Sequence, residues 1–208
     1  MIGTLVPGLL AIVIAYLLGA IPFGYLLTRF TTGKDVRTEG SGNIGATNVL
    51  RTAGRGAGIA TLVLDLAKGY AAVWIAAILT DNSPGWMADA ALAVMVGHAF
   101  PIFLGFKGGK AVATFTGAFL YLTPIPALAG IIVFVITVVV TRYISAASIL
   151  AAATFPLGVW LISHPTLNEL LAALIAAAIV VYRHKENMKR MRSGKEPVFV
   201  WTKSRWGT

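Results

Sequence analysis

Long apolar runs alternate with short polar segments along the whole chain. A hydrocarbon core of about 30 Å needs roughly 20 apolar residues in a helix, and pairs with Gly, Asn or Pro, such as Gly108-Gly109 and His164-Pro165, break the runs. The pattern predicts an all-α, polytopic membrane protein, a bundle of about seven transmembrane helices covering approximately residues 5–30, 57–79, 86–106, 110–122, 125–141, 145–162 and 167–182. The fourth run is short for a span, so a short, tilted or shielded helix is expected there.

Composition agrees with one membrane-embedded domain over residues 1–208. Hydrophobic residues make up 57% of the chain and charged residues 12%, and the mean hydropathy is +0.80, whereas soluble domains carry about 25% charged residues. The chain has no Cys and only 3 His, which excludes disulfides and a thiolate nucleophile and leaves no ligand set for structural zinc. No metal and no cofactor are expected.

Positive charge lies on one side of the predicted bundle. Of the 17 Lys and Arg residues, all except Lys68, which falls within the second span, lie in or beside loops 1–2, 3–4 and 5–6 or after the last span. The opposite face carries Asp81, Asp89 and Glu169. This asymmetry predicts an external N-terminus and a cytoplasmic C-terminus. The net charge of +9 comes from short patches and no continuous stripe, which favours lipid headgroups and small phosphorylated substrates over nucleic acid.

The first predicted cytoplasmic loop combines glycines with short polar side chains. Glycines let backbone N–H groups approach an anion, and an Arg fork or a helix N-terminus near Thr47 adds to such a site. A flexible Gly/Ser linker is the alternative. A linker, however, would not require two Asn, one Thr and one Arg so close to a membrane boundary. The candidate phosphate ligands in this loop are Ser41, Gly42, Asn43, Gly45, Thr47, Asn48 and Arg51.

A second basic, glycine-rich segment follows the third predicted span. Lys107 and Lys110 flank Gly108 and Gly109 at the start of a helix, an arrangement that suits an oxyanion. A Walker motif is not expected, because the spacing is short, Ser or Thr is missing and no strand precedes it. His98 near the end of the same span is either functional or satisfied by a backbone carbonyl.

Asp65 and Lys68 lie three residues apart in the second span. Both are costly in lipid, so they are expected to pair with each other or with the site. A structural ion pair and a catalytic role remain open for them.

The last two predicted spans carry further polar side chains. Ser145 and Ser148 share a helix face, although Ser alone commonly caps helices. After the final span, Lys189, Arg190 and Arg192 fit a positive-inside anchor, whereas His184, Glu186 and Asn187 exceed what an anchor needs. His164 and Glu169 imitate a His–acid pair of glycerolipid acyltransferases, but they fall on the external face and are interpreted as a loop.

Three motifs together resemble the bacterial acyl-phosphate:glycerol-3-phosphate acyltransferases: GSGNIGATN with Arg51, GHAFP followed by FKGGKAVAT, and YRHKEN. The match covers essentially the whole chain in order and length, except the tract after about Gly194, to which no role is assigned. The resemblance implies a multi-pass protein of the bacterial inner membrane with its active site facing the cytoplasm. It also implies acyl transfer from acyl phosphate to the 1-hydroxyl of glycerol 3-phosphate, giving lysophosphatidic acid and phosphate.

The resemblance also implies roles for individual residues. Ser41 to Asn48 would form the phosphate-binding loop, and His98 and Lys107 belong to the motif around the acyl phosphate. The glycerol 3-phosphate contacts would be Arg51, Lys110, Ser148, His184 and Asn187. For the proton of the glycerol hydroxyl, His98, His184 and a substrate phosphate oxygen are all candidate bases, and Lys110 would assist catalysis through charge.

Two other protein classes compete with an enzyme. A transporter or channel for phosphate compounds would fit the basic loops, but no internal repeat is visible and the polar motifs cluster on one predicted face. A phospholipid-binding scaffold would not need two phosphate-binding segments. The expected partners are therefore acyl phosphate, glycerol 3-phosphate and membrane lipid, and a monomeric state is compatible with the sequence.

Overall fold

The computed structural model describes residues 5–199. Within this range the chain is helical and has no strand. The α-helices are α1 (Leu5–Ala20), α2 (Phe23–Thr32), α3 (Ala46–Leu79), α4 (Pro84–Ala99), α5 (Val112–Leu122), α6 (Pro124–Thr141), α7 (Ile144–Ser163), α8 (Leu167–Arg183) and α9 (Lys185–Arg192). Short 3-10 turns lie at Val36–Thr38 and Ile102–Leu104. Lys203 and Arg205, which the sequence assigns to the basic face, lie outside the described residues.

Five helical segments are long and apolar enough to cross a membrane, and a sixth qualifies if the bent pair α8–α9 is one span. The remaining predicted span is α5, whose 11 residues rise only about 16 Å. The all-α membrane architecture is therefore confirmed, while the count of seven spans and the orientation of the termini stay predictions. On α6, buried residues are limited to Pro126, Ala127 and Val138, so most of its apolar surface faces outward, as expected in lipid.

The chain divides into two compact units, the first ending at Leu122 and the second beginning at Thr123. In the first unit α1 packs on α4, and α3 packs on α5. Glycines allow these helices to approach closely. A Cβ on Gly19 would lie 2.1 Å from the Val94 carbonyl oxygen, and one on Gly69 would lie 2.2 Å from the Thr114 carbonyl oxygen.

Two backbone breaks in the first unit were not predicted. The helix of the first span is interrupted at Ile21-Pro22, where the Pro ring leaves α1 and α2 as separate helices. Helix α3 begins at Ala46, earlier than the predicted span, because an additional helical segment precedes the membrane portion. The two portions meet at Gly54, whose φ of 87° and ψ of 179° are not helical, a conformation open to glycine.

In the second unit α6 packs on α7, and α7 packs on α8. Helices α8 and α9 meet at His184 with a bend of 52°. At the other end of α8, the Thr166 hydroxyl accepts a hydrogen bond from the Glu169 backbone N–H, and the Glu169 carboxylate accepts one from the Thr166 backbone N–H. This capping box gives the His164–Glu169 segment a structural role. The interpretation as a loop holds for residues 164–166, whereas Leu167 to Glu169 form the first turn of α8.

Candidate active site

Asn48 organises the first glycine-rich loop. Its side-chain oxygen accepts a hydrogen bond from the Ser41 backbone N–H at 2.9 Å. Its amide nitrogen lies 3.2, 3.0 and 2.9 Å from the carbonyl oxygens of Val36, Glu39 and Asn43. Asn48 is 1% exposed, so these bonds are shielded from water and fix the loop from within. Asn48 was predicted as a phosphate ligand, and its amide is instead engaged with the loop backbone.

Glycine conformations and one further Asn complete the turn of this loop. Gly40 and Gly42 have φ of +56° and +68°, values that favour glycine. The Asn43 side-chain oxygen accepts a hydrogen bond from the Gly45 N–H at 2.8 Å, an arrangement typical of Asx turns. Helix α3 begins directly afterwards at Ala46, which places Thr47 in its first turn and confirms the expected helix start.

A small apolar cluster holds the loop against its neighbours. Val36, Ile44, Val49 and Ala57 are buried together, and Leu104 packs against them. Because Leu104 directly precedes the second glycine-rich segment, this contact places the two motifs of the first unit side by side. Both motifs therefore belong to one end of that unit, as the one-sided charge pattern requires.

The second segment, residues 105–111, is a sharply folded loop. Gly105, Phe106 and Ala111 have φ of +59°, +64° and +57°, and the left-handed region is costly for Phe and Ala, a kind of strain that often marks functional loops. The Gly109 N–H donates to the His98 carbonyl oxygen at 3.0 Å. A Cβ on Gly108 would lie 2.2 Å from that same oxygen, so the turn passes too close to α4 for any side chain. Helix α5 starts at Val112, which confirms that Lys110 precedes a helix.

The two lysines of this segment differ in exposure. Lys107 is exposed, and Lys110 is partly buried. Both carry the positive charge that a phosphate requires, but only Lys110 is held partly within the fold. Arg51 is also partly buried, whereas Arg55, one turn further along α3, is exposed.

His98 lies in the last turn of α4 as a buried side chain with polar neighbours. Its Nδ1 lies 3.2 Å from the Thr114 hydroxyl oxygen and 3.5 Å from the Asp65 carboxylate. Its ring also faces the glycine turn, since a Cβ on Gly109 would lie 2.1 Å from Nε2. The His98 ring therefore lies against the side chains of Thr114 and Asp65. A backbone carbonyl alone does not account for its surroundings.

Asp65 and Lys68 form the expected ion pair. The Lys68 Nζ lies 2.8 Å from the Asp65 Oδ1, with each side chain 3% exposed. The same Nζ donates to the Ile21 carbonyl oxygen at 2.9 Å, an oxygen at the end of α1 where the helix break interrupts the regular hydrogen bonds. It also lies 5.5 Å from the centre of the Phe23 ring. The pair thus ties α3 to the α1–α2 break.

In the second unit the buried carboxylate of Glu196 accepts hydrogen bonds from three polar side chains. The Asn187 Nδ2 donates to the Glu196 Oε1 at 2.6 Å, and the Arg190 Nε donates to the Glu196 Oε2 at 2.8 Å. Burial raises the pKa of Glu196, but hydrogen bonds from Ser145, Asn187 and Arg190 outweigh it and leave the pKa below its ordinary value. Sequence reasoning missed Glu196, which lies in the tract that was given no role. A lone acid within a basic tail was the available signal.

Ser148 and His184 are buried in the same unit but are engaged locally. The Ser148 hydroxyl donates to the Ile144 carbonyl oxygen at 2.9 Å, which is a bond within α7. The His184 Nδ1 lies 2.8 Å from the Val180 carbonyl oxygen. Since a carbonyl only accepts, Nδ1 carries the hydrogen, and in a neutral ring Nε2 is the acceptor. His184 therefore has the tautomer that a general base at Nε2 would need.

Comparisons with known proteins agree with these features. A family model described as "Glycerol-3-phosphate acyltransferase" matches residues 9–194. The glycerol-3-phosphate acyltransferase of Geotalea daltonii is 50% identical over 185 residues, which cover 89% of this chain and 94% of that protein. The enzyme of the same name from Geobacter sulfurreducens is 48% identical over 187 residues, with 89% of this chain and 94% of that protein covered.

Two solved structures share the fold. Both are crystal structures of PlsY, an integral membrane glycerol 3-phosphate acyltransferase. The glycerol 3-phosphate form matches with a TM-score of 0.87 and 38% identity, over 93% of this chain and 96% of that chain. The lysophosphatidic acid form matches with a TM-score of 0.83 and 36% identity, over 93% and 95% of the two chains.

Proposed function

This chain belongs to the glycerol-3-phosphate acyltransferase family, and from that membership we propose that it transfers an acyl group from an acyl phosphate to the 1-hydroxyl of glycerol 3-phosphate. The products are lysophosphatidic acid and inorganic phosphate, and the reaction is the first step of bacterial phospholipid synthesis. The family, the membrane fold and the phosphate-binding motifs all support this reaction.

The enzyme is an integral membrane protein with several apolar helices. We further propose that it lies in the bacterial inner membrane with seven spans, an external N-terminus and a cytoplasmic C-terminus. The charge asymmetry supports this orientation, because basic loops are retained on the cytoplasmic side. The acyl chain then lies among the apolar helices, and the phosphate chemistry takes place on the cytoplasmic side, with one copy of the chain as the working unit.

The observation that carries the proposal is the pair of adjacent glycine-rich loops in the first unit, joined through Leu104 and the Val36 cluster. Both loops lead into the start of a helix, with Arg51 following the first loop and Lys107 and Lys110 within the second. Such loops stabilise phosphate oxygens. The assigned ligands are Ser41, Gly42, Asn43, Gly45, Thr47, Arg51, Lys107, Gly108, Gly109 and Lys110. The backbone N–H groups of Ser41, Gly42, Gly45 and Gly109 donate within the protein, so the side chains of Arg51, Lys107 and Lys110 supply the main binding groups.

Polar side chains of the second unit are proposed to bind glycerol 3-phosphate. Ser145, Ser148, His184 and Asn187 are all buried, and each offers a hydrogen-bonding group of the kind that hydroxyl and phosphate oxygens need. The Glu196 network holds Asn187 in place for this task. This support of Asn187 is also a role for the tract after Gly194, to which the three sequence motifs assign none.

The chemistry requires no covalent enzyme intermediate. The C1 hydroxyl oxygen attacks the acyl carbonyl carbon, a new ester C–O bond forms, and the C–O bond to phosphate breaks as inorganic phosphate leaves. Positive charge and side-chain hydrogen-bond donors stabilise the leaving phosphate, and binding both substrates supplies the orientation. The hydroxyl proton passes to an oxygen of a substrate phosphate, while His98 and His184 bind and orient.

Purified full-length protein in lipid vesicles tests the reaction directly. With palmitoyl phosphate and radiolabelled glycerol 3-phosphate, we expect lysophosphatidic acid and inorganic phosphate in equal amounts. Acyl-CoA in place of the acyl phosphate should give no product. Absence of lysophosphatidic acid together with flux of phosphate compounds across the vesicle membrane would contradict the enzyme and favour a transporter.

A further inference from the structure

A carboxylate inside the first unit lies close to a histidine as well as to its lysine partner. Asp65 is 2% exposed and lies in a membrane-spanning helix, where an ionised carboxyl is costly without compensation. Lys68 supplies that compensation at 2.8 Å. Yet the same Asp65 oxygen also lies 3.5 Å from the Nδ1 of His98, which belongs to a different helix.

His98 connects this carboxylate to the second glycine-rich loop. One edge of its ring faces Asp65 and Thr114. The other edge faces Gly109, where an added Cβ would lie 2.1 Å from Nε2. The His98 backbone takes part as well, since its carbonyl oxygen accepts the Gly109 N–H at 3.0 Å. The position of the glycine turn therefore depends on where the imidazole is held.

We propose that Asp65 is a positioning residue, which acts through His98 to hold the Gly108-Gly109 turn and thereby to place Lys110 for the substrate phosphate. The inference rests on the proposed function, because that function gives Lys110 its role. An ionised carboxylate only accepts hydrogen bonds, so Asp65 selects the ring tautomer with hydrogen on Nδ1. Nε2 then faces the turn without a hydrogen. Carboxylates orient functional imidazoles in the same way around bound metals.

Lys68 gives the carboxylate a fixed position of its own. Its Nζ bridges Asp65 and the Ile21 carbonyl oxygen, so the carboxylate is anchored to the break between α1 and α2. A competing arrangement exists at the ring, because the Thr114 hydroxyl lies 3.2 Å from the same Nδ1. If Thr114 donated to Nδ1, the neutral ring would carry its hydrogen on Nε2. The two tautomers distinguish positioning by Asp65 from a merely structural ion pair.

A neutral replacement of the pair tests the kinetic consequence. D65L/K68M removes both charges and keeps apolar volume, a change that is often neutral for stability. If Asp65 positions the turn, the variant should raise KM for the phosphate substrates about tenfold, with kcat changing less. Adding H98Q should cause no further loss beyond H98Q alone, because both changes interrupt one connection. Wild-type kinetics for D65L/K68M, or losses that multiply in the triple variant, would overturn the inference.

T61V is the matched control on the same helix. Thr61 is fully buried, and its hydroxyl donates to the Ala57 carbonyl oxygen within α3. Removal of this hydroxyl should leave KM and kcat unchanged. Melting temperatures of all variants show whether a kinetic loss accompanies loss of the fold.

Nitrogen-15 NMR of the imidazoles reads the tautomer in the wild-type chain and needs no variant to remain active. The chain has only 3 His, so comparison with H98Q identifies the His98 signals. We expect hydrogen on Nδ1 in the wild type and a shift toward hydrogen on Nε2 in D65L/K68M. If the wild-type enzyme is active and carries its His98 hydrogen on Nε2, the positioning role of Asp65 is wrong but the proposed function stands. If the wild-type protein shows no acyl transfer, the proposed function itself is wrong.

Discussion

The side-chain amide of Asn187 donates a hydrogen bond to the carboxylate of Glu196 at 2.6 Å. The two residues lie on either side of the end of α9, and Arg190 binds the other oxygen of the same carboxylate at 2.8 Å. This buried acid therefore links the chain after α9 to the helix, in addition to the bond from the Lys195 N–H to the Arg190 carbonyl oxygen. A predicted substrate ligand thus depends on a residue outside all three sequence motifs.

Replacement of Glu196 by Gln should destabilise the protein in a pH-dependent way. At neutral pH the change removes the ion pair with Arg190 and weakens the bond from Asn187, at a cost of about 1–3 kcal/mol. Because the folded-state pKa of Glu196 is lowered, its contribution is present above the ordinary value of 4.5 and is lost as the pH falls through the folded-state pKa. The difference in melting temperature between wild type and E196Q should therefore shrink below about pH 4.5.

E186Q is the control for this measurement. Glu186 pairs with Lys189 at 3.1 Å, with side chains 57% and 73% exposed, and exposed pairs contribute little. The melting temperature of E186Q should match that of the wild type both at neutral pH and below about pH 4.5. A constant difference between wild type and E196Q across the pH range would contradict the assigned role of the carboxylate.

The sequence predicted the helical membrane fold because apolar length and helix breakers are local properties. It also predicted the Asp65–Lys68 pair, since two charges three residues apart in one span have few other partners. It could not predict that His98 joins this pair, because that contact depends on how α3 and α4 pack. Nor could it distinguish Asn48, which supports the loop from within, from the Asn and Ser residues beside it.

Replacement of Gly108 by Ala should displace the second loop. The new Cβ would meet the His98 carbonyl oxygen at 2.2 Å and the Pro101 ring at 2.4 Å, and the backbone oxygen cannot move aside as a flexible side chain can. A shift of the turn by about 1 Å would lower kcat/KM by about 100-fold. Steady-state kinetics measure the loss.

G56A is the matched glycine control in the same unit. A Cβ on Gly56 would meet nothing within 4 Å, and Ala favours a helix over Gly by about 1 kcal/mol. Activity should be retained, and the melting temperature should stay level or rise. Equal kinetics for G108A and wild type would show that the turn tolerates a side chain and would contradict the close approach.

Replacement of Asn48 by Asp should open the first loop while changing no exposed group. A carboxylate can still accept the Ser41 N–H, but it has no hydrogens for the three carbonyl oxygens that surround the amide nitrogen. The Glu39 and Val36 oxygens keep bonds from the Gly42 and Glu39 N–H groups, whereas loss of the donor to the Asn43 oxygen costs about 1–3 kcal/mol. We expect a lower melting temperature and a higher KM for the phosphate substrates. N82D, in the exposed turn after α3, should change neither quantity.

Arg51 and Arg55 provide a test of phosphate recognition in which total charge is constant. Arg51 is partly buried directly after the first loop, and Arg55 is exposed beyond the break at Gly54. Lys keeps the charge but loses the planar fork that binds two phosphate oxygens at once. Loss of one charge-assisted hydrogen bond is worth about 1.5–3 kcal/mol, which corresponds to about 10- to 150-fold in KM for glycerol 3-phosphate. R55K should leave this KM unchanged, because an exposed charge one turn away acts only through screened electrostatics. An unchanged KM in R51K would show that positive charge alone attracts the phosphate, and Arg51 would then lose its role as a specific ligand.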